Sequence, residues 1–153
     1  MADTIQEFLA EVTTSGVSEI VAALLALPAD KRNWKPAPGA RSALDQVAEC
    51  AIVNGYMAEV IGGLQSTDVA LSGLIEGKTA LTEGEWTVLK ELLESNTRKL
   101  AAALRAVPDA MLNVELSIPW GTQPLRGFMT YPYWNLAYHL GQINYIRSLL
   151  EAA

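Results

Sequence analysis

The stretch YPYWNLAYHLGQINYIRSLL, residues 131–150, holds the only histidine of the 153-residue chain, His139, inside an otherwise apolar helical pattern. At 100° per residue, Ile143, Ile146 and Leu150 fall within about 40° of it, so the imidazole points inward. Pro132 suits the first turn of a helix that starts near Thr130 and runs to the C-terminus. Asn135 lies one turn before the histidine and Gln142 three residues after it. A polar group on a buried face requires a partner from another element.

Working outward, three more helical stretches of similar length appear. Ile5, Phe8, Leu9, Val12, Ile20, Ala23, Leu24 and Leu27 mark a helix from about Thr4 to Leu27 with one buried stripe. PADKRNWKPAPGAR, residues 28–41, breaks it with three prolines and is expected to be a loop anchored by Trp34. Ser42 is a good N-cap with Asp45 in the first turn, opening a second helix from about Ala43 to Leu64. Trp86, Leu89, Leu93, Leu100, Ala103, Leu104 and Val107 mark a third from about Glu85 to Val107, ended by Pro108, with Asn96 the polar exception on its stripe. Residues 65–85 read as a long crossover with a weak apolar cluster at Val69, Leu71, Leu74 and Ile75 and room for a short helix. Between helices three and four, Val114, Leu116 and Ile118 alternate with polar residues before a turn at Trp120 to Thr122, consistent with a short β-hairpin or an extended loop. Four such helices imply one all-α, four-helix-bundle domain spanning residues 1–153, in which a long helix 2–3 crossover permits those two helices to run parallel.

Composition narrows the function classes. Seventeen acidic residues against eleven Lys plus Arg give a net charge of −6, and no basic run follows any helix. Nucleic acid and anionic membranes are therefore not expected partners. A single cysteine, Cys50, excludes an intramolecular disulfide and a cysteine-built zinc or iron–sulfur site. With no leader-like start and with apolar stretches interrupted before about 20 residues, a cytoplasmic protein is the expectation.

The second helix repeats the pattern of the last. Val53, Tyr56 and Val60 lie within about 40° of Glu49, placing a carboxylate near the middle of an apolar stripe with Asp45 one turn earlier. Burying an ionised group costs several kcal/mol unless it is paired or bound to a cation. His139 is the most economical partner, with Asn135 able to donate to either. A divalent metal shared by Glu49, Asn135 and His139 uses the same geometry, since facing helices of bundles build such sites. Composition favours the structural ion pair, because an amide oxygen is a weak zinc ligand.

Two motifs carry a family resemblance. NWKPAPGARSALDQVAEC, residues 33–50, resembles the Trp-x-Pro, Pro-Gly and Ser-led entry to helix two of the DinB-like (DinB and YfiT-like) family of metalloenzymes. NLAYHLGQINYIRSLL, residues 135–150, resembles its closing helix, where a His-x-x-x-His pair precedes Gly-Gln. The resemblance implies an up-down-down-up bundle and a divalent metal such as nickel or zinc on three histidines. Carried onto this chain, those ligand positions fall on Glu49, Asn135 and His139, so one histidine of three remains. Family activities include thiol-dependent transfer and isomerisation, in which the metal lowers the pKa of a bound thiol.

Two functional readings follow. The first is a divergent metalloenzyme with a remodelled Glu49, Asn135 and His139 site for Ni, Zn, Mn or Mg, supporting transferase, thiol-transferase-like or hydrolase chemistry. The second is a metal-free, homodimeric bundle that binds a small molecule or a protein, with the polar trio structural. The metal-free form is the expected one, because the soft nitrogen ligands are mostly gone. Asp45, Tyr56, Gln142, Trp120 and Tyr131 are the candidates for the surrounding shell or pocket. The aromatic residues 120–134 would line that pocket, close the bundle end or form a homodimer surface. Gly141, with Ala137 and Ser148, makes a small-residue face on the last helix, and Cys50 is expected to be an inert, buried hydrophobe.

Overall fold

A computed structural model describes residues 4–63, 82, 84–118 and 121–153, with Ile118 by its backbone alone. Its long helices are α1 (Ile5–Leu25), α2 (Ala43–Gly63), α3 (Trp86–Ala106) and, after a one-turn helix α4 (Leu125–Phe128), α5 (Tyr131–Ala152). The local signals act where they were expected. Thr4 caps α1 by accepting from the Glu7 amide at 3.2 Å, and Ser42 Oγ accepts from the Asp45 amide at 3.1 Å at the start of α2. Val107 adopts an extended conformation before Pro108 and ends α3.

Before the last helix, β1 (Glu115–Ile118) and β2 (Gly121–Pro124) pair antiparallel in the register Glu115 to Pro124 and Ile118 to Gly121. The hairpin reading therefore holds, and α4 is an addition that four residues of helical pattern are too few to announce. The weak apolar cluster at residues 69–75, its short helix and Trp120 lie outside the described residues.

Contacts between helices fix their directions. Asn96 donates to the Ala51 carbonyl at 2.8 Å, Asn54 to Thr97 Oγ1 at 2.9 Å, and Gly62 faces Ala103, so α2 and α3 run parallel. Gln6 donates to the Val107 carbonyl at 3.0 Å and Glu7 pairs with Arg105 at 2.7 Å, making α1 antiparallel to α3. Gln46 and Glu49 meet His139, while Glu49 also reaches back to Asn135, which makes α2 antiparallel to α5. The result is up-down-down-up, with α1 and α2 diagonal across the bundle despite being consecutive.

Two apolar clusters fill the interior. Leu9, Met57, Ile61, Leu100, Leu104 and Phe128 form one end, and Ile20, Leu24, Val47, Leu93, Leu136 and Ile143 the other. Trp34 packs against the second cluster, as its anchoring role requires. Two details differ from the periodicity reading. Ile5 and Phe8 are exposed, Phe8 by 53%, while Gln6, buried against Val107 and Asp109, takes the inward position of that turn. On α2 the buried arc centres on Cys50, Asn54, Met57 and Ile61 rather than on Glu49. That helix is gripped by α3 on one side and α5 on the other, and neighbours on two sides, not apolarity alone, set which arc is covered.

The segment Ile5–Leu25 has the length and mean hydropathy of a bilayer span, a match that counting interruptions did not credit. In the bundle its apolar face packs against α3 and α5, and its acidic Glu11 and Glu19 face outward.

Candidate functional site

The polar groups gather at the seam of α2 and α5. α5 is a helix of bulky apolar residues on its inner face, which carries Asn135 and His139, one turn apart, into the interior at 3% and 1% exposure. Opposite them α2 supplies Gln46 and Glu49. Glu49 sits at the rim, with its side chain 29% exposed.

His139 Nε2 lies 3.1 Å from Glu49 Oε1, while Nδ1 lies 3.0 Å from Gln46 Oε1 and 2.9 Å from Gln142 Oε1. With these acceptors on both sides, the doubly protonated ring satisfies every contact. If an amide is turned to present its NH2, Nδ1 accepts and Nε2 alone carries the proton, so Nε2–H is again the donor to Glu49. The remaining tautomer would set a bare nitrogen against a carboxylate oxygen, an arrangement that holds only with a cation between them.

Arg41, the residue just before the Ser42 cap, completes the cluster. Its Nη2 lies 2.7 Å from Glu49 Oε2, and its Nε bonds to the Asp45 carboxylate. The hydrogen bond from His139, aided by the charge of Arg41 and opposed by partial burial, brings the Glu49 carboxyl down to about 2. Asn135 Nδ2 stands 3.5 Å from Glu49 Oε1, and its Oδ1 is buried with no hydrogen-bond partner. Burial and, after it, the charge of Glu49 push the Tyr131 phenol up.

The expected trio of Glu49, Asn135 and His139 thus converges, and Asp45, Gln142 and Tyr131 surround it. Tyr56 lies two turns along α2 from Glu49, in the other apolar cluster, with its hydroxyl buried and unpartnered. Cys50 is wholly buried, and burial followed by the Glu49 charge pushes its thiol well above the usual range. Arg41 and Gln46 were not anticipated. Gln46 was within reach of the sequence, since it lies about 60° around α2 from Glu49. Arg41 precedes the helix, where angular periodicity says nothing.

Residues 15–143 match the DinB superfamily. The chain belongs to the DinB superfamily. Among solved structures this member is similar to YfiT from Bacillus subtilis, described as a probable metal-dependent hydrolase with an unusual four-helix bundle topology: 11% identity, TM-score 0.79, covering 99% of this chain and 90% of that one. It is also similar to a mycothiol-dependent maleylpyruvate isomerase, at 15% identity and TM-score 0.73, covering 92% of this chain and 61% of that one. No curated protein matches. At these identities the likeness establishes the shared fold.

The donor set of this DinB-superfamily chain does not fit the metal that such relatives imply. One imidazole and one carboxylate are its only strong donors at the seam, and among the described residues no group of three His, Cys, Asp or Glu side chains comes together. Both oxygens of Glu49 are engaged, one of them by a full positive charge. The orphaned Asn135 Oδ1 is the single feature that a cation would satisfy.

Proposed function

We propose that this chain is a metal-free member of the superfamily that binds a small organic molecule in the cleft beside Arg41. The observation that carries this reading is the internal neutralisation of Glu49, whose oxygens lie 2.7 Å from Arg41 Nη2 and 3.1 Å from His139 Nε2. Buried carboxylates need a compensating charge. Here the protein itself supplies it.

A cleft of about 540 Å³ lies between the loop of residues 36–41 and α5, a size that suits a small ligand. Arg41, Gln46 and Gln142 line its inner side, and Tyr138 and Tyr145 its rim. With both glutamine oxygens turned to His139, their NH2 groups and the guanidinium are what remains to offer, all of them donors. The two tyrosines, 51% and 66% exposed, provide flat apolar faces. The complementary ligand is a small molecule with a carboxylate or carbonyl at one end and a planar apolar body. Cys50, sealed inside the core, is not available as a nucleophile of the protein's own. A homodimer is the competing occupant of the same tyrosine face.

The test combines elemental analysis after exposure to Ni, Zn, Mn and Mg with thermal-shift and calorimetric titration of aromatic carboxylates such as benzoate. The expected result is no retained metal, saturable carboxylate binding, and about tenfold weaker binding in Tyr138→Ala, the loss of roughly 1.4 kcal/mol of ring contact. Near-stoichiometric metal that disappears in Glu49→Ala and His139→Ala would overturn the reading and establish the remodelled divalent site. Self-association abolished by Tyr138→Ala, without carboxylate binding, would assign the face to a homodimer.

A further inference from the structure

We infer that the groove between α1 and α3, on the side of the bundle opposite the seam of α2 and α5, is a second small-molecule site, and that it takes an aliphatic monocarboxylate with its head on Arg98 and its tail over Val17 and Val21. The inference stands independently of the reading of the Arg41 cleft.

The groove has a cause in the sequence. On α1 its lining residues Thr14, Val17, Ser18 and Val21 recur at three- and four-residue intervals and are all short, and on α3 the facing Thr97 and Ala101 are short as well. Side chains of this size leave a trough between two packed helices, here of about 540 Å³, within the range of ligand pockets. Val17, Thr97 and Ala101 are buried and form its floor, which the half-buried Val21 extends by a turn.

The antiparallel course of α1 and α3 places a charge over that floor. Glu7 pairs with Arg105 at 2.7 Å, so one step of seven residues along α1, and the same step back along α3, brings Thr14 opposite Arg98. Both line the groove. The other charges on its walls are engaged: Arg105 donates to both oxygens of Glu7, and Glu94 pairs with Lys90. The hydroxyls are turned back to their own helices. Thr14 donates to the Ala10 carbonyl at 2.8 Å, Ser18 to that of Thr14 at 3.4 Å and Thr97 to that of Leu93 at 2.6 Å. Among the described residues, Arg98 is the one polar lining group without a hydrogen-bond or ion-pair partner.

The groove therefore offers an uncommitted guanidinium above a floor of methyl groups, with no hydroxyl left to donate. A guanidinium binds a carboxylate through paired N–H donors, and valine and alanine methyls gain dispersion contact with a chain laid along them. No aromatic ring lines the groove, in contrast to the cleft beside Arg41, where Tyr138 and Tyr145 do. Residues 14–21 cover about 10 Å of helix, a length that suits a medium-chain acid such as octanoate.

Octanoate, octanol and benzoate would each be titrated into wild type, Arg98→Ala, Arg98→Lys and Ser18→Trp, with binding followed by calorimetry and by NMR shifts of the backbone amides. Arg98 and Ser18 are exposed, so these substitutions leave the core intact. Octanoate is expected to bind wild type saturably, with shifts concentrated on residues 14–21 and 94–105. Its affinity should fall about fivefold in Arg98→Ala, as the loss of one exposed charge pair allows, and stay near wild type in Arg98→Lys. Ser18→Trp, whose indole would occupy the trough, should abolish it. Octanol should bind wild type about fivefold more weakly than octanoate, and benzoate should be unaffected by any of the three variants. Absence of saturable octanoate binding, shifts confined to α5 and residues 36–41, or undiminished affinity in Ser18→Trp would overturn the site. Octanol binding as tightly as octanoate, or unchanged octanoate affinity in Arg98→Ala, would overturn Arg98 as its anchor and the acid as its ligand. Benzoate reads the Arg41 cleft, so the two readings fail separately.

Discussion

Glu49 is where charge, burial and pH meet in this molecule. Its carboxyl falls from the model-compound 4.5 to about 2 in the folded state, chiefly through the hydrogen bond from His139. The folded value is depressed, so the associated stabilisation is complete above pH ~4.5 and is lost as pH falls through ~2. A shift of this size corresponds to at most about 3 kcal/mol, and the partial exposure of the side chain reduces it to about 1–2 kcal/mol. Glu49→Gln is therefore expected to melt below wild type at neutral pH and to converge with it near pH ~2 in a pH series of thermal unfolding. A gap that stays constant across the series would contradict the assignment. Cys50 gives the opposite expectation. It is fully buried with its thiol pushed up, so a thiol reagent should modify it only at the rate of unfolding, and addition of denaturant should release it. At this scale the sequence made the inward His139 and its partnership with Glu49 legible, because one polar group on an apolar face demands another. It misplaced Glu49 at the centre of its stripe, since α2 is apolar around most of its circumference and periodicity alone does not locate the buried arc.

At the scale of the element, α2 and α3 pack tightly at Gly55. A Cβ on Gly55 would stand 2.6 Å from Asn96 Nδ2 and 3.0 Å from its Cγ, while that same amide donates to the Ala51 carbonyl at 2.8 Å. Glycine to alanine inside a helix ordinarily stabilises by about 1 kcal/mol. Here the sign reverses: Gly55→Ala displaces Asn96 from its hydrogen bond and should destabilise by about 1–3 kcal/mol in denaturant unfolding. In an Asn96→Ala background the same substitution should be neutral or stabilising. The helices themselves were readable almost to their ends, because caps and prolines are local signals: Thr4, Ser42 and Pro108 act on their own neighbours in the chain. The role of Asn96 was not readable. Its partner lies 45 residues earlier, on another helix.

For the whole molecule the parallel course of α2 and α3 is the defining feature, and it can be tested covalently. A Cβ built on Gly62 lies 3.8 Å from the Ala103 Cβ, within the spacing of a disulfide. Gly62→Cys with Ala103→Cys should crosslink on mild oxidation, and the product should unfold at a higher temperature than its reduced form. Helices running antiparallel from the Asn54 and Thr97 contact would separate these positions, and no crosslink would form. The chain by itself determined the number and limits of the long helices, the inward histidine, the acidic charge balance and the resemblance that the superfamily match bears out. These depend on interactions within a few turns, or on residue types fixed at set spacings. The tertiary structure alone decided which arc of α2 is covered and that Arg41 and Gln46 join the polar site. It also decided that the Asn135 oxygen is buried without a partner while Glu49 is held by Arg41 and His139. Each of those facts depends on where a neighbouring helix or loop comes to lie, and that position is set by the packing of the whole bundle.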